Sequence, residues 1–172
     1  DLPGSTNVTM DYIYVSGTGN HGVETWNVDG LTIGTVVARD VAYAGLLLNN
    51  SRNATIDLVD GDNVATGTGY ATLRFANTNG LVNGSYPTNI RVNRVVSRGG
   101  GRGLFCVSES GGVEIDYIDF ANNGNNAILL ENCHNVTING GVINGGGEVR
   151  IAARTDMTNT SDVTISNLTV NN

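Results

Sequence analysis

Residues 127–138 contain the hexamer Ala127-Ile128-Leu129-Leu130-Glu131-Asn132 and, two residues further on, the tetrad Asn135-Val136-Thr137-Ile138. On an extended chain Ile128 and Leu130 face one way, the hexamer closes on an asparagine, and a second short apolar alternation begins almost at once. Five other stretches lie over this hexamer. They are Gly-Val-Glu-Thr-Trp-Asn ending at Asn27, Gly-Leu-Leu-Leu-Asn-Asn at Asn50, Thr-Leu-Arg-Phe-Ala-Asn at Asn77, Gly-Leu-Phe-Cys-Val-Ser at Ser108, and Arg-Ile-Ala-Ala-Arg-Thr at Thr155. Self-similarity at a period of roughly two dozen residues marks a solenoid.

The alternation places Val23, Leu46, Leu73, Leu104, Ile128 and Ile151 on an interior face, with Thr25, Leu48, Phe75, Cys106, Leu130 and Ala153 beside them. A second strand in each repeat supplies an inward column of Val8, Leu31, Ala54, Ile90, Val113, Val136 and Val163. A third supplies Ile13, Val36, Val59, Val95, Ile118, Gly141 and Leu168. Three short strands per repeat, each added to a growing parallel sheet, predict an all-β fold. It is a right-handed parallel β-helix, a three-sheet solenoid of about seven rungs stacked about 4.8 Å apart. Asn27, Asn50, Asn77, Ser108, Asn132 and Thr155 close the first strand of successive rungs and predict an asparagine ladder that satisfies turn backbone groups. A leucine-rich repeat also carries an asparagine ladder, but its Leu-x-x-Leu-x-Leu spacing and helical return are missing.

Composition agrees with short strands and tight turns. Glycine occurs 24 times in 172 residues, Asn, Thr, Val and Ile are abundant, and the 40% hydrophobic content is enough for one continuous core. The reading is therefore a single β-helix domain over residues 1–172, a piece of a larger protein. Its first rung holds only second and third strands, so a capping segment, a partner or another domain of the parent protein is expected near Asp1. A net charge of -7 argues against nucleic acid and against an anionic membrane surface as partners. There is no lysine, which removes Schiff-base chemistry. The two cysteines form no metal-ligand spacing; extended-chain geometry from Leu130 to Cys133 favours free, buried thiols for Cys106 and Cys133 unless the turn folds back.

The tetrads Asn135-Val136-Thr137-Ile138, Asn53-Ala54-Thr55-Ile56 and Asp162-Val163-Thr164-Ile165 resemble the repeats of the pectate-lyase-like right-handed parallel β-helices, in particular bacterial secreted β-helix repeat proteins. The resemblance covers nearly the whole chain. It implies a secreted protein that meets polysaccharide, in a family that includes lyases, hydrolases, epimerases and non-catalytic binding or adhesion segments.

Two insertions break the repeat, between Gly61 and Leu73 and between Asn77 and Ile90, and insertions in solenoids gather on the binding face. They bracket a strand that turns Arg74 outward, among Glu24, Trp26, Leu47, Asn49, Phe105, Leu129 and Glu131. A sugar site needs an aromatic platform and a few directional polar groups. Trp26, Asn49, Tyr70, Arg74, Tyr86, Phe105, Glu24 and His21 are the candidate substrate-binding residues. The alternative is that Leu47, Phe105 and Leu129 form a stripe lidded by Tyr70 and Tyr86. For lyase or epimerase chemistry Arg74, Tyr70 and His21 supply a carboxylate neutraliser and a base. Glycosidase chemistry needs close carboxylates: Glu24 and Glu131 are four rungs, roughly 19 Å, apart, which leaves only Asp60 with Asp62 in the first insertion. No cofactor is required. Calcium is the one ion the pattern suggests, with Asp57, Asp60 and Asp62 as oxygen ligands.

The column Thr9, Thr32, Thr55, Thr137 and Thr164 has the look of an ice-binding ladder, but Arg91 and Glu114 interrupt it and are expected to pair with each other across adjacent rungs. Seven Asn-x-Ser/Thr sequons arise mostly from the repeat itself. The expectation is a polysaccharide-binding or accessory module of a secreted carbohydrate-active protein. The alternatives are a polysaccharide lyase or uronate epimerase fragment and a structural spacer or adhesin segment.

Overall fold

The computed structural model describes residues 4–67 and 69–171. Eleven strands follow in order: β1 (Ser5–Ser16), β2 (Val23–Trp26), β3 (Val28–Val41), β4 (Leu46–Asn49), β5 (Arg52–Val64), β6 (Ala71–Ala76), β7 (Ile90–Arg98), β8 (Arg102–Ile138), β9 (Gly141–Ala152), β10 (Ser161–Ile165) and β11 (Leu168–Asn171). Every pairing between named strands is parallel, so the chain is an all-parallel β-solenoid of about seven turns. The longer strands run on around a corner of the coil. β8 does so several times in 37 residues, through left-handed backbone at Ser108, Glu109, Asn122, Asn125, Asn132 and Asn135.

The register follows the side-chain columns. Val8 pairs with Leu31, Leu31 with Ala54, Ala54 with Ile90 and Ile90 with Val113; Val136 pairs with Val163. In the third sheet Ile13, Val36, Val59, Val95, Ile118, Gly141 and Leu168 stack without a break. In the first, Val23, Leu46, Leu73 and Leu104 do the same. These columns meet in one core in which Leu46, Leu73, Ile90, Leu104, Ile118 and Phe120 are completely buried. Each fully buried side chain of this size contributes about 1.5–3 kcal/mol relative to exposure. The interior leaves no room for a larger residue at Gly61, where a Cβ would lie 2.6 Å from the Thr72 side chain.

The last rung departs from the expected register by two residues. Val149, not Ile151, stacks on Ile128; Ile151 pairs with Leu130 and Ala152 with Glu131, after irregularities between Asn123 and Ile128. The run Gly145-Gly146-Gly147 absorbs the difference, with left-handed backbone at its first two residues. A shift of two keeps Ile151 on the inward side, but no described first-sheet strand stacks over it, and it is 54% exposed. Thr155 leaves the ladder: above Asn132 the chain has turned away, and Asn132 Nδ2 donates to the Arg154 and Thr158 carbonyls at 3.1 and 2.8 Å.

The remaining ladder residues Asn27, Asn50, Asn77, Ser108 and Asn132 all have φ between 43° and 57°. Asparagine tolerates this region because its short amide bonds locally to the backbone. One or two residues beyond some of these corners lies a second, inward polar column. The Ser51 amide donates to Asn79 Oδ1 at 2.9 Å and the Asn79 amide to Ser110 Oγ at 3.3 Å, all three side chains being buried. These bonds satisfy turn amides that the hydrophobic core cannot.

Cys106 and Cys133 are disulfide-bonded, with Cα atoms 6.2 Å apart, which corrects the expectation of free thiols. The chain does not run straight from Leu130 to Cys133. It doubles back at left-handed Asn132 and aims Cys133 into the core beside the rung that carries Cys106.

Candidate functional site

The outward side of the first sheet begins with short strands whose alternate residues must face away from the core. Glu24 pairs with Leu47, Leu47 with Arg74 and Arg74 with Phe105; Trp26 pairs with Asn49 and Asn49 with Ala76. Leu47, Ala76, Phe105, Val107 and Leu129 form a buried stripe here, with Tyr70 packed on it. The alternative reading of the sequence set both Tyr70 and Tyr86 over this stripe; Tyr70 is there and Tyr86 is not. The cover of the stripe also includes cations. The Arg74 guanidinium lies 5.0 Å from the Tyr70 ring centroid and 5.1 Å from that of Phe105, and the Arg102 guanidinium lies 4.9 Å from the same Phe105 ring.

The first insertion brings Tyr70 to this patch, where it stacks on Tyr43 with centroids 4.4 Å apart. His21 meets Tyr70 edge-on at 5.0 Å and Tyr43 at 5.4 Å. The Ala44 amide donates to His21 Nδ1 at 3.1 Å, which assigns the ring proton of the neutral imidazole to Nε2. Burial lowers the His21 pKa, outweighing the raising influence of Glu24, and Arg74 lowers it further. His21 is therefore neutral at neutral pH.

Arg74 is half-buried, and burial first, then Arg102, pulls its pKa down against the raising effect of Tyr70. Its Nε is buried with no hydrogen-bond partner among the described residues. All nine basic residues of the chain are arginines. Seven of them, Arg39, Arg52, Arg91, Arg94, Arg98, Arg150 and Arg154, have a carboxylate within 4.0 Å. The other two, Arg74 and Arg102, have none among the described residues, and they share one phenyl ring. Arg102 Nε donates only to the Asn126 amide oxygen, at 3.2 Å. Burial lowers the Arg102 pKa against the raising effect of Glu131, so a carboxylate is near Arg102, though none lies within 4.0 Å of either guanidinium among the described residues. Guanidinium donors left without a close carboxylate match an anion.

The other candidates are distributed as follows. Trp26 is 60% exposed and open to a ligand. Asn49 is buried and committed, donating to Glu24 Oε1 at 2.7 Å and accepting from Asn77 at 2.8 Å. Phe105 is buried beneath the two guanidiniums and offers no face of its own. Tyr86 is not at this patch. The second insertion folds at another corner of the coil, where Tyr86 donates to the Glu109 carbonyl and its ring lies 5.0 Å from that of His134. Burial, then Glu109, pushes the Tyr86 pKa up to about 12.

Asp57, Asp60 and Asp62 lie along β5 rather than in a loop. Asp60 is tied to Arg39 by an ion pair at 2.9 Å and Asp57 accepts from Asn93 at 2.9 Å. No group of three acidic, histidine or cysteine side chains gathers there, or anywhere among the described residues. Arg91 and Glu114 do pair across adjacent rungs. Asp1, near which a capping segment, a partner or another domain was expected, lies outside the described residues.

Sequence reasoning passed over the constellation beside Tyr86. Glu109, His134 and Ser161 lie 25 and 27 residues apart, close to one repeat each, and so arrive at one corner on successive rungs. The repeat length was the available signal, but each residue sits just outside the hexamers that revealed it. Compared with protein-family models, with curated proteins and with solved structures, the chain has no significant match.

Proposed function

We propose that this β-solenoid binds an acidic polysaccharide along the outer face of its first sheet, with Arg74 and Arg102 receiving a carboxylate-bearing sugar and Trp26 stacking on a neighbouring ring. The observation that carries this reading is the pairing pattern of the arginines: seven have a carboxylate within 4.0 Å and two, side by side on one phenyl ring, have none that close among the described residues. Guanidinium groups match carboxylates in bidentate geometry, and partial burial strengthens such a bond. Trp26 lies two rungs from Arg74, about 10 Å along the stack, a spacing suited to a chain ligand rather than a single small one. The buried disulfide supports an oxidising, secreted setting.

A second reading is favoured by one grouping. His21, Tyr70 and Arg74 come together, with a neutral imidazole and a phenol next to a cation. That set is what uronate lyase or epimerase chemistry requires: the cation neutralises the carboxylate and the neighbour removes the adjacent C–H proton. A panel of uronate and neutral polysaccharides distinguishes the two. The binding module gives saturable binding without unsaturated product, abolished in Arg74→Ala; the lyase gives growing ultraviolet absorbance from new double bonds, abolished in His21→Ala or Tyr70→Phe. Equal affinity for neutral and acidic polymers, unchanged in Arg74→Ala, contradicts both.

A further inference from the structure

We propose that Ser161, His134 and Glu109 form a second site, separate from the first sheet, that transfers the acyl group of a carboxylic ester to water. Three residues on successive rungs are about 4.8 Å apart along the stack, so side chains leaning toward one another come within hydrogen-bond reach. Ser161 pairs directly with His134 in the register of β10 on β8. Ser161 Oγ lies 3.3 Å from His134 Nδ1, and His134 Nε2 lies 3.2 Å from Glu109 Oε2. Nucleophile, base and orienting acid are thus linked in series, the arrangement that activates a hydroxyl for attack on an acyl carbon.

The proton positions follow from the partners. Burial pushes the Glu109 carboxyl up, but hydrogen bonds from the Thr158 hydroxyl and amide and from His134 outweigh it and hold the pKa below the ordinary glutamate value. Glu109 is therefore a carboxylate. Thr158 gives its hydroxyl proton to Glu109, so the Thr158 oxygen, 2.9 Å from His134 Nε2, is an acceptor there. With two acceptors at Nε2, the imidazole proton sits on that nitrogen, and Nδ1 presents its lone pair to the Ser161 hydroxyl. This order also excludes Thr158 as the nucleophile, because its proton is directed to the acid and not to the base.

The three groups open into a cleft of about 580 Å³, walled by Leu81, Gly84 and Tyr86 on the side of the second insertion and edged by Asp162. Ser161 is exposed, whereas the His134 side chain is only 14% exposed. The hydroxyl is reachable and the base is sheltered. The apolar wall suits the acyl part of the ester, and the open side leaves the alcohol part free to be large.

In the first step Ser161 Oγ bonds to the acyl carbon while its proton passes to His134 Nδ1. The ester C–O bond breaks and the departing alcohol oxygen takes that proton. A water then loses a proton to Nδ1 and attacks the acyl-serine, and Ser161 recovers the proton as the acid leaves. The sum is ester plus water giving carboxylic acid plus alcohol, with no other reactant.

The test uses the full chain with a fluorophosphonate probe and with p-nitrophenyl acetate as a small activated ester. Labelling at Ser161, found by peptide mass spectrometry, and ester turnover lost in Ser161→Ala and cut about 100-fold or more in His134→Gln are expected. Glu109→Gln, which removes the carboxylate charge that supports the imidazolium formed on His134, should slow labelling of Ser161 while the Ser161→Ala chain keeps its circular dichroism and thermal midpoint. No labelling of the native chain, labelling at another residue, or turnover that survives Ser161→Ala overturns the proposal and leaves the three residues as a bonded corner only.

Discussion

The Cys106–Cys133 bridge is where a single residue's geometry defeats an extended-chain estimate. The estimate treated Leu130 to Cys133 as straight, and one left-handed asparagine, Asn132, reverses it. Closing a loop with a sequence separation of 27 restricts the unfolded chain, and removing such a bridge costs about 2–5 kcal/mol. Denaturant unfolding of the Cys106→Ala, Cys133→Ala double variant should show a loss of that size, and adding reductant to it should change nothing more. A native chain indifferent to reductant even when unfolded would contradict the bridge. Asp119 gives a residue-scale dependence on pH. Hydrogen bonds from Arg98 first, together with the charges of Arg98 and Arg94, lower its pKa against the raising effect of burial. The folded chain thus holds Asp119 ionised more firmly than the unfolded chain. That stability is fully present above the unfolded carboxylate value of about 4 and is lost as pH falls through the lower folded value. Thermal midpoints measured from neutral pH downward should fall less steeply in Asp119→Asn than in the native chain; identical slopes would remove Asp119 from the acid transition.

At the scale of elements, the second and third strands were readable to the residue because their columns consist of β-branched and other aliphatic side chains at strict alternation. Val8 through Val113, Val136 with Val163, and Ile13 through Leu168 pair as read. The last first-sheet strand was not readable. Arg-Ile-Ala-Ala-Arg-Thr at 150–155 satisfies the hexamer pattern, but the glycine run at 145–147 lets the chain close up two residues sooner, so Ile151 takes the place read for Ala153. The candidate site divides in the same way. Arg74 and Phe105 are together because they pair in the register of β6 on β8, and His21 and Tyr70 join them because they lie one or two residues before β2 and β6 of the same sheet, whereas Tyr86 lies mid-way along the second insertion, away from any first-sheet strand. The core predicts its own sensitivity. Phe120 is completely buried, with its ring against Gly103, so Phe120→Ala should cost about 3–5 kcal/mol in denaturant unfolding. Tyr12, 64% exposed on β1, should cost within about 0.5 kcal/mol on replacement by alanine. Similar losses at the two positions would contradict the assignment of inward and outward columns.

Across the whole molecule each rung touches only the rungs above and below it, so stability is a sum of rung and neighbour terms. The central rungs, with Leu48, Leu73, Phe75 and Leu104 covered on both sides, should hold their amides longest. The first rung, where Val8, Met10 and Ile13 are only partly buried, should exchange soonest. Hydrogen exchange resolved by residue would show this gradient from the middle outward, and uniform protection along the coil would contradict it. The stacked arrangement also lets the molecule present two chemically distinct faces, an arginine and aromatic patch on the first sheet and a Glu109, His134 and Ser161 corner elsewhere, without either disturbing the core.

The proposed holding of an acidic polysaccharide by Arg74 and Arg102, the two arginines with no carboxylate within 4.0 Å among the described residues, is open to direct test. Calorimetric titration of oligouronate into the native chain and into Arg74→Gln, with the uncharged parent oligosaccharide as control, measures it directly. Saturable binding of the oligouronate alone is expected, weakened at least about tenfold in Arg74→Gln and by added salt, since charge-assisted bonds of about 1.5–3 kcal/mol would be lost or screened. Binding that is equal for the charged and uncharged ligands, or unaffected by Arg74→Gln, would contradict it.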